Sequence, residues 1–250
     1  IYRLFGFQYI PPQLREMRGE FDLAAKKKLP VLIQPEDIQG DMQMHSTWSD
    51  GMLDIETLAR HVIEHFRYTY IVLTDHSQSS RIAGGKSGKD FLRQMKEIDR
   101  INTKLGKPFI KKGVEVDILP DGTLDFSDDI LQQFDWVCAS VHSGFKKDNT
   151  QRLIAACRHP LVHAIGHPSG REIGKREPYP VNWARLFQAA AETGTALEIN
   201  AQPDRFDLND ELARQACEAG VTLVISTDSH AADHFSFMTM GVTIPQRAFC

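Results

Sequence analysis

Residues 70–76 read Tyr-Ile-Val-Leu-Thr-Asp-His, an apolar run that ends in a carboxylate and an imidazole. Such a short run, rich in β-branched side chains, is typical of a strand buried on both faces in a parallel sheet. Residues 222–230, Thr-Leu-Val-Ile-Ser-Thr-Asp-Ser-His, repeat the arrangement near the other end of the chain. We therefore predict buried parallel strands whose ends carry chemically active side chains.

Short apolar runs of this kind alternate along the chain with amphipathic segments of helical length. The predicted strands are 41–45, 68–76, 109–118, 136–142, 161–167, 196–201 and 222–230. The predicted helices are 55–66, 89–105, 127–134, 150–159, 183–193 and 209–219. This alternation is typical of right-handed βαβ units, so we expect an α/β fold with either a barrel or an open parallel sheet.

The length of 250 residues is compatible with one α/β barrel. Residues 1–39 contain Pro11-Pro12, a charged stretch and a lysine run, and we interpret them as a lead-in linker with one short helix. The barrel domain is predicted to cover residues 40–250. The first residue is Ile1, not Met, and we expect the chain to be a fragment of a longer protein.

Composition narrows the class of protein. The hydrophobic fraction of 42% and the charged fraction of 25% are those of an ordinary globular protein. No run of 18 or more apolar residues and no signal peptide occur, so we expect no membrane contact and a cytoplasmic location. The four cysteines show no CxxC spacing, and reduced thiols are expected. A net charge of −4 does not favour nucleic-acid binding, although bound metal ions can reverse the local field.

Polar side chains mark the ends of the predicted strands. They are His45, His76, Glu115, His142, His167, Asp228 and His230, with Asp50 close behind the first. In a β/α barrel these ends converge on one face, where active sites form. Imidazole combined with carboxylate suits zinc, manganese or iron better than calcium or magnesium. Any one of these residues has an ordinary structural explanation, but so many together predict a site for two to three divalent ions.

Three other patterns carry less weight. Gly84 to Asp90 resembles a phosphate-binding loop but lacks its first glycine and its final Ser or Thr, and we interpret it as a flexible basic lid. His61-Val-Ile-Glu-His65 matches HxxEH and is the alternative metal site, although a solvated helix face explains it better. His159 and His163 flank Pro160 and are interpreted as structural.

The strand-end motifs resemble, in order and spacing, those of the PHP (polymerase and histidinol phosphatase) domain. The matching segments are 41–46, 49–51, 74–77, 113–115, 140–142, 166–168 and 227–230. Within this superfamily the chain is most similar to the C-terminal PHP domain of bacterial family X DNA polymerases. The segments 9–20, 166–171 and 197–208, together with Arg176, carry that closer resemblance.

The resemblance implies a distorted, TIM-like (βα)7 barrel with a trinuclear metal site at the C-terminal ends of the strands. One ion would be held by His45, Glu115 and Asp228, a second by Glu115, His142 and His167, and a third by Asp50, His76 and His230. His45, Glu115, His142 and Asp228 are the expected catalytic residues. The implied activity is metal-dependent phosphoester hydrolysis, here 3′ to 5′ trimming and 3′-end processing of DNA, with attack by a metal-bridging hydroxide.

The expected substrate is a phosphate ester, such as single-stranded or 3′-ended DNA, and a polymerase core is expected N-terminal to this domain in the full-length protein. Arg171, Arg176 and Lys146 are the predicted phosphate-binding residues, because a guanidinium or ammonium group suits that anion. Two alternatives remain open: hydrolysis of small phosphate mono-, di- or triesters, and a degenerate structural or DNA-positioning module.

Two departures from the PHP pattern affect these expectations. Many PHP domains begin with HxH, whereas this chain has Gln43 at the first position, a weaker ligand that favours manganese over zinc in that site. The tail 242–250 is expected to lack the closing helical segment of the family, which would remove the last contacts of the barrel.

Overall fold

The computed structural model describes residues 1–250 and contains one sheet of seven parallel strands in sequential order. The strands are β1 (Gly40–Asp41), β2 (Tyr70–Leu73), β3 (Ile110–Asp117), β4 (Trp136–Ser140), β5 (Ala164–Ile165), β6 (Ala196–Asn200) and β7 (Leu223–Ser226). Just beyond β1 and β7, Met44 forms a parallel bridge with Ser229. This bridge brings the two edges together, so the sheet is a nearly closed, distorted (βα)7 barrel, which confirms the predicted fold class.

Nine helices accompany the strands. They are α1 (Glu20–Ala25), α2 (Ile55–His65), α3 (Gly88–Leu105), α4 (Asp128–Leu131), α5 (Thr150–Cys157), α6 (Trp183–Thr193), α7 (Asp210–Glu218), α8 (Met238–Gly241) and α9 (Thr243–Ala248). All six predicted barrel helices are present, several of them shorter than expected. Side-chain caps begin several of them: Asp54 accepts from the backbone N–H of Thr57 at α2, and Asn209 accepts from the backbone N–H of Leu212 at α7.

The expected basic lid is an ordered turn that leads into α3. Ser87 and Asp90 form a reciprocal capping box at the start of the helix. The Lys86 N–H donates to the His76 carbonyl at 2.8 Å, and the Gly85 N–H donates to the Ser80 carbonyl at 3.0 Å. A Cβ on Gly85 would lie 2.0 Å from the Ser77 carbonyl oxygen, so only glycine fits there. These contacts fasten the segment to the end of β2, and it is not a free lid.

The apolar core lies between the barrel wall and its helices. A cluster of 30 buried residues, including Val114, Val137 and Leu197, joins β3 to β7 with α3 to α7. A second cluster of 12 residues, including Ile71 and Leu58, joins β2 to α2. Both clusters surround the strands, so the polar residues at the strand ends are built on a rigid frame.

The C-terminal tail differs from the sequence-based expectation. Residues 243–248 form α9, which packs on α7 and on the lead-in segment. The expected loss of the closing helical segment is therefore wrong. Gln246, for example, is buried and donates from its side-chain amide to the Ile33 carbonyl at 2.7 Å. The sequence signal was weak because Pro245 lies inside this helix, and proline usually ends a helical pattern.

The cysteines differ in part from the expectation of four reduced thiols. Cys217 on α7 and Cys250 form a disulfide, whereas all four thiols were expected to be reduced. Cys138 and Cys157 are free and buried, as predicted. The pairing depends on α9, because that helix brings the chain end back against α7. No α-helix in the structure has the length and apolarity required to cross a lipid bilayer.

Candidate metal centre

The eight predicted ligands come together at the carboxyl ends of the strands. Seven of them line one cavity of about 670 Å³: Asp50, His76, Glu115, His142, His167, Asp228 and His230. The eighth, His45, is buried beneath the cavity. By contrast, His61 and His65 lie side by side on α2 with their ring centroids 4.6 Å apart, and His61 packs near Phe66 and Phe235. That alternative site gathers no third ligand.

Glu115 lies at the centre of the group, on β3. Its Oε1 is 2.9 Å from His167 Nε2 and 3.3 Å from His142 Nε2. Its Oε2 is 3.4 Å from His45 Nε2 and 3.3 Å from His76 Nδ1. One buried carboxylate therefore contacts four imidazoles, two on each oxygen, which is the arrangement expected of a bridging ligand.

Two further carboxylates flank this centre. Asp228 Oδ1 lies 3.0 Å from His45 Nε2. Asp50 Oδ1 lies 3.7 Å from His76 Nε2 and 3.4 Å from His230 Nε2. The ligand atoms form three groups, in each of which they lie within 4.8 Å of one another. The groups are His45, Glu115 and Asp228; His76, Glu115 and His142; and His45, Asp50, His76 and His230.

The backbone is constrained where it presents these ligands. His167 and Asp228 have positive φ angles, 28° and 50°, in a region that non-glycine residues rarely occupy. The His167 N–H donates to the buried carboxylate of Glu198, and the Asp228 carbonyl accepts from Gln202 Nε2 at 2.8 Å. Such conformations persist when the surrounding contacts enforce them, and they occur preferentially at functional sites.

A glycine brings Asp50 to the site. The turn after His45 folds back so tightly that a Cβ on Gly51 would lie 2.2 Å from the His45 carbonyl oxygen. The Gly51 N–H donates to the Ser46 carbonyl at 2.9 Å and closes this turn. Asp75 supports it from below, accepting from the Ser46 hydroxyl at 2.7 Å and the Ser49 hydroxyl at 2.5 Å. The Asp-Gly pair is therefore more than a surface turn.

Asp117 is a site residue that the sequence interpretation missed. Its Oδ1 lies 2.6 Å from His142 Nδ1 and accepts from the Ser80 hydroxyl at 2.7 Å. This contact fixes the imidazole so that Nε2 points at Glu115. A carboxylate behind a ligating histidine orients the ring and raises its basicity. Strand alternation could have revealed the residue, since Asp117 follows Glu115 by two positions and shares its face.

Burial and neighbouring charge shift the protonation of the ligands. Burial alone would raise the pKa of Glu115, but the neighbouring imidazoles of His76 and His142 outweigh it and hold the pKa well below its usual range. Burial lowers the pKa of His76 to about 4, although the nearby Glu115 carboxylate opposes this shift. For His142, burial is outweighed by Glu115 and Asp117, which raise the pKa to about 10. A bound cation would therefore replace a proton on His142.

The predicted phosphate-binding residues lie elsewhere. The Arg171 guanidinium donates to the carbonyls of Arg205 and Phe206, and Arg176 pairs with Glu172 at 2.9 Å. Lys146 is exposed on the loop after β4. None of the three lines the cavity. The first two are held by structural contacts that the sequence could not reveal, because their acceptors are backbone carbonyls and a loop carboxylate.

Arg205 and Arg81 are the arginines that do line the cavity. Arg205 Nη1 is buried and has no hydrogen-bond partner, while its Nε and Nη2 lie 3.9 Å from Asp228 and Glu172. An unpaired buried guanidinium N–H beside the site is available to an anionic ligand. Arg205 falls within the segment 197–208 that carried the resemblance, but its side chain had no predicted role.

The residues fit divalent metal ions. Ring nitrogens of His45, His76 and His167 are buried without a hydrogen-bond partner, and buried polar atoms rarely stay unpaired. They lie among carboxylates that remain charged, and the mixed imidazole and carboxylate set suits zinc, manganese or iron. Gln43 lies buried behind this group, where its Oε1 accepts from the Cys138 thiol at 3.0 Å.

The nearly closed barrel and the three ligand groups at its carboxyl face are the features that the sequence resemblance to PHP-type metal-dependent phosphoesterases implies, and similarity to known proteins agrees with that resemblance. No protein-family model matches the chain. It is 42% identical to the DNA polymerase/3′-5′ exonuclease PolX of Bacillus subtilis, over 99% of this chain and 44% of that protein.

Two further comparisons agree with this class. A probable phosphatase of Thermoanaerobacter sp. is 35% identical over 136 residues, which are 49% of this chain and 53% of that protein. The chain thus spans about half the length of these curated relatives. The crystal structure of histidinol phosphate phosphatase from Lactococcus lactis, complexed with zinc, L-histidinol and phosphate, has a TM-score of 0.60 at 20% identity. It covers 84% of this chain and 93% of that one, and it supports the fold.

Proposed function

We propose that this chain hydrolyses phosphoesters and that its substrate is the 3′ end of a DNA strand, which it shortens in the 3′ to 5′ direction. The observation that carries the proposal is the Glu115 carboxylate, which contacts His45, His76, His142 and His167 within 3.4 Å. A carboxylate in this setting would be a ligand shared by divalent ions, which would supply Lewis-acid chemistry to a phosphoryl group.

The ligand groups around Glu115, Asp228 and Asp50 would hold two to three divalent ions of zinc, manganese or iron. When bound, such ions polarise the phosphoryl oxygens and lower the pKa of water enough to supply a nucleophile at neutral pH. The remaining tasks fall to the protein. Asp117 holds the His142 ring in place, and the unpaired N–H of Arg205 donates to a phosphoryl oxygen as negative charge develops on it.

Similarity to the Bacillus subtilis exonuclease over 99% of the chain favours DNA as the substrate. The proposed division into a lead-in, residues 1–39, and a PHP domain, residues 40–250, follows the start of β1 at Gly40. By the same similarity, a polymerase core precedes this domain in the full-length protein, and the site of action is the cytoplasm. Small phosphate esters are the second candidate substrate class, because similarity to probable phosphatases covers 136 residues.

A strand-degradation assay tests the proposal. Single-stranded DNA labelled at its 5′ end should shorten from the 3′ end in the presence of Mn²⁺ and release nucleoside 5′-monophosphates. His142→Ala and Asp228→Ala should reduce the rate at least about 100-fold, because each removes a ligand. The matched control is His159→Ala, since His159 lies outside the cavity and contacts Asp128 at 3.2 Å.

Two outcomes would contradict this function. Full activity of His142→Ala in metal-replete buffer would refute the assigned site. Hydrolysis of p-nitrophenyl phosphate without any shortening of DNA would instead favour a phosphatase acting on small esters. Loss of activity in His159→Ala as well would point to a general folding defect, which circular dichroism of the three variants would detect.

A further inference from the structure

The segment 77–86 forms an anchored loop whose tip lies at the mouth of the metal-centre cavity. Ser79 donates from its N–H and its hydroxyl to Asp125, at 2.7 and 2.5 Å. Ser80 donates to Asp117 at 2.7 Å, and Lys86 pairs with Ser77 in a parallel bridge. The loop is thus fixed by Asp125 and by Asp117, and Asp117 also contacts His142.

The tip, residues 81–83, consists of side chains without partners. Ile82 is 106% exposed, the largest exposed fraction of any large apolar residue in the chain. Arg81 is exposed and makes no salt bridge. Ile82 nonetheless lines the cavity, where the other apolar lining residues are Ala83 and Leu119. A single exposed isoleucine is ordinary on a protein surface, but here it is held at the entrance of a polar site.

The cavity is larger than a phosphate group requires. Its volume of about 670 Å³ lies in the range of sites that enclose whole small molecules. The cavity is lined by the carboxylates, the imidazoles and Arg205, and its hydrophobic residues are confined to the loop tip and Leu119. A ligand that fits must therefore have an anionic end for the floor and a flat or apolar end for the rim. A nucleotide has this form.

We propose that the 81–83 loop tip is a nucleobase contact: Ile82 and Leu119 hold the terminal base while its phosphate lies at the metal centre, and Arg81 favours a polyanionic strand. This proposal rests on the function proposed above and specifies its substrate class. Every nucleobase has a flat face of low polarity, so contact with aliphatic side chains removes apolar surface from water largely without regard to sequence. The loop would therefore select nucleotides over simple phosphate esters without selecting one base.

Binding measurements test the contact without requiring turnover. The dissociation constants of thymidine 5′-monophosphate and of methyl phosphate are measured by calorimetry with Mn²⁺ present. Ile82→Ala should weaken binding of the nucleotide about 5- to 10-fold, because the base loses apolar contact, and should change binding of methyl phosphate less than twofold. Ile82→Tyr should restore or strengthen nucleotide binding, since a ring can stack on the base. Val31→Ala is the control, as Val31 is 96% exposed on the lead-in.

The proposal is overturned if the wild-type chain binds both compounds equally, or if Ile82→Ala weakens both to the same extent. Nucleotide binding by Ile82→Tyr that is as weak as that of Ile82→Ala would also overturn it. These results are independent of the strand-degradation assay. If the chain binds the nucleotide through Ile82 but does not shorten DNA, the base contact is supported and the proposed exonuclease function is contradicted.

Discussion

Asp117 illustrates how a residue outside the ligand set can determine the geometry within it. Its carboxylate accepts from the Ser80 hydroxyl and contacts His142 Nδ1, and its backbone N–H donates to the Ser77 hydroxyl oxygen at 3.0 Å. All of these partners belong to the ends of neighbouring strands. His142 therefore has one ring orientation, with Nε2 directed toward Glu115.

Asp117→Asn tests this role at the residue scale. The amide keeps the size of the side chain but removes the charge that holds the imidazole, so affinity for the metal should fall about 10- to 100-fold. Titration of the purified variant with Mn²⁺ or Zn²⁺ measures the effect. Asp121→Asn is the matched control, because Asp121 lies in the same connection and accepts only from Thr123. Equal affinities for the two variants would show that Asp117 does not orient His142.

The sequence allowed most of the carboxylates and histidines to be predicted because they lie within an apolar strand or in the first residues after it. Glu115 and Asp228 are examples, and the structure brings both to the cavity. Arg205 could not be predicted in this way. It lies in the irregular segment after β6, and its position depends on contacts of that loop with Glu172 and Asp228 across the barrel mouth. Arg171 was predicted to bind phosphate because of its charge, but its guanidinium donates to the backbone carbonyls of Arg205 and Phe206.

At the scale of elements, α5 fastens two loops of the site together. Arg152 of this helix is buried and donates to the Ser143 carbonyl at 2.6 Å and to the Ile118 carbonyl. Ser143 follows His142, and Ile118 follows Asp117. One side chain thus connects the ends of β3 and β4 next to the contact between Asp117 and His142.

Arg152→Met should weaken this connection. The substitution keeps most of the apolar stem but leaves buried carbonyls without donors, which should lower the free energy of unfolding by about 2 to 4 kcal/mol. Hydrolysis should fall as well, because the loops of His142 and Asp117 lose a shared anchor. Denaturant titration and rate measurements check both effects. Arg158→Met, at the exposed end of the same helix, is the control and should change neither.

The elements were predictable where a local pattern was complete. α6 occupies the predicted residues, since Asn182 caps its start and Gly194 ends it in a left-handed conformation. β1 and β5 are only two residues long, shorter than predicted, because their apolar runs continue into loops that bend toward the site. α9 was missed because its stability comes from packing on α7 and the lead-in, which no local pattern records.

At the scale of the whole molecule, the lead-in and the chain end form one structure on the side of α7. Ile10, Leu14 and Ala24 make a small buried cluster, with Phe249 packed against it. Arg18 also pairs with Asp210 at 3.0 Å. Cys217–Cys250 closes a loop with a sequence separation of 33 residues around this region.

Reduction of that disulfide should destabilise the chain. A crosslink that closes a loop of this length contributes about 4 kcal/mol, mainly by restricting the unfolded chain. Cys217→Ser should lower the unfolding temperature, and dithiothreitol should lower that of the wild type to the same value without further effect on the variant. Cys157→Ser does not touch the disulfide, so it should leave the response to dithiothreitol intact. A wild-type protein insensitive to reductant would show that the thiols are free in solution.

The ligands also link the barrel as a whole. They come from β3 or from the segments that follow β1, β2, β4, β5 and β7, so ions held between them connect six of the seven strands. Without a bound cation, the carboxylates of Glu115 and Asp228 repel each other. Bound ions would also remove the excess negative charge of the chain, since three divalent ions would change the net charge from −4 to +2.

Removal of metal should therefore lower the stability of the whole domain. Ions that bind the folded chain alone stabilise it by about 4 kcal/mol at a thousandfold excess over the dissociation constant. For a chain of this size, that corresponds to a fall in the unfolding temperature of about 10 °C when a chelator removes the ions. Calorimetry with and without EDTA measures it. Glu115→Gln should start at the lower temperature and barely respond to EDTA, because it lacks the carboxylate shared by two ligand groups. An unchanged unfolding temperature, with loss of metal verified by elemental analysis, would mean that the strands hold the site without help from the ions.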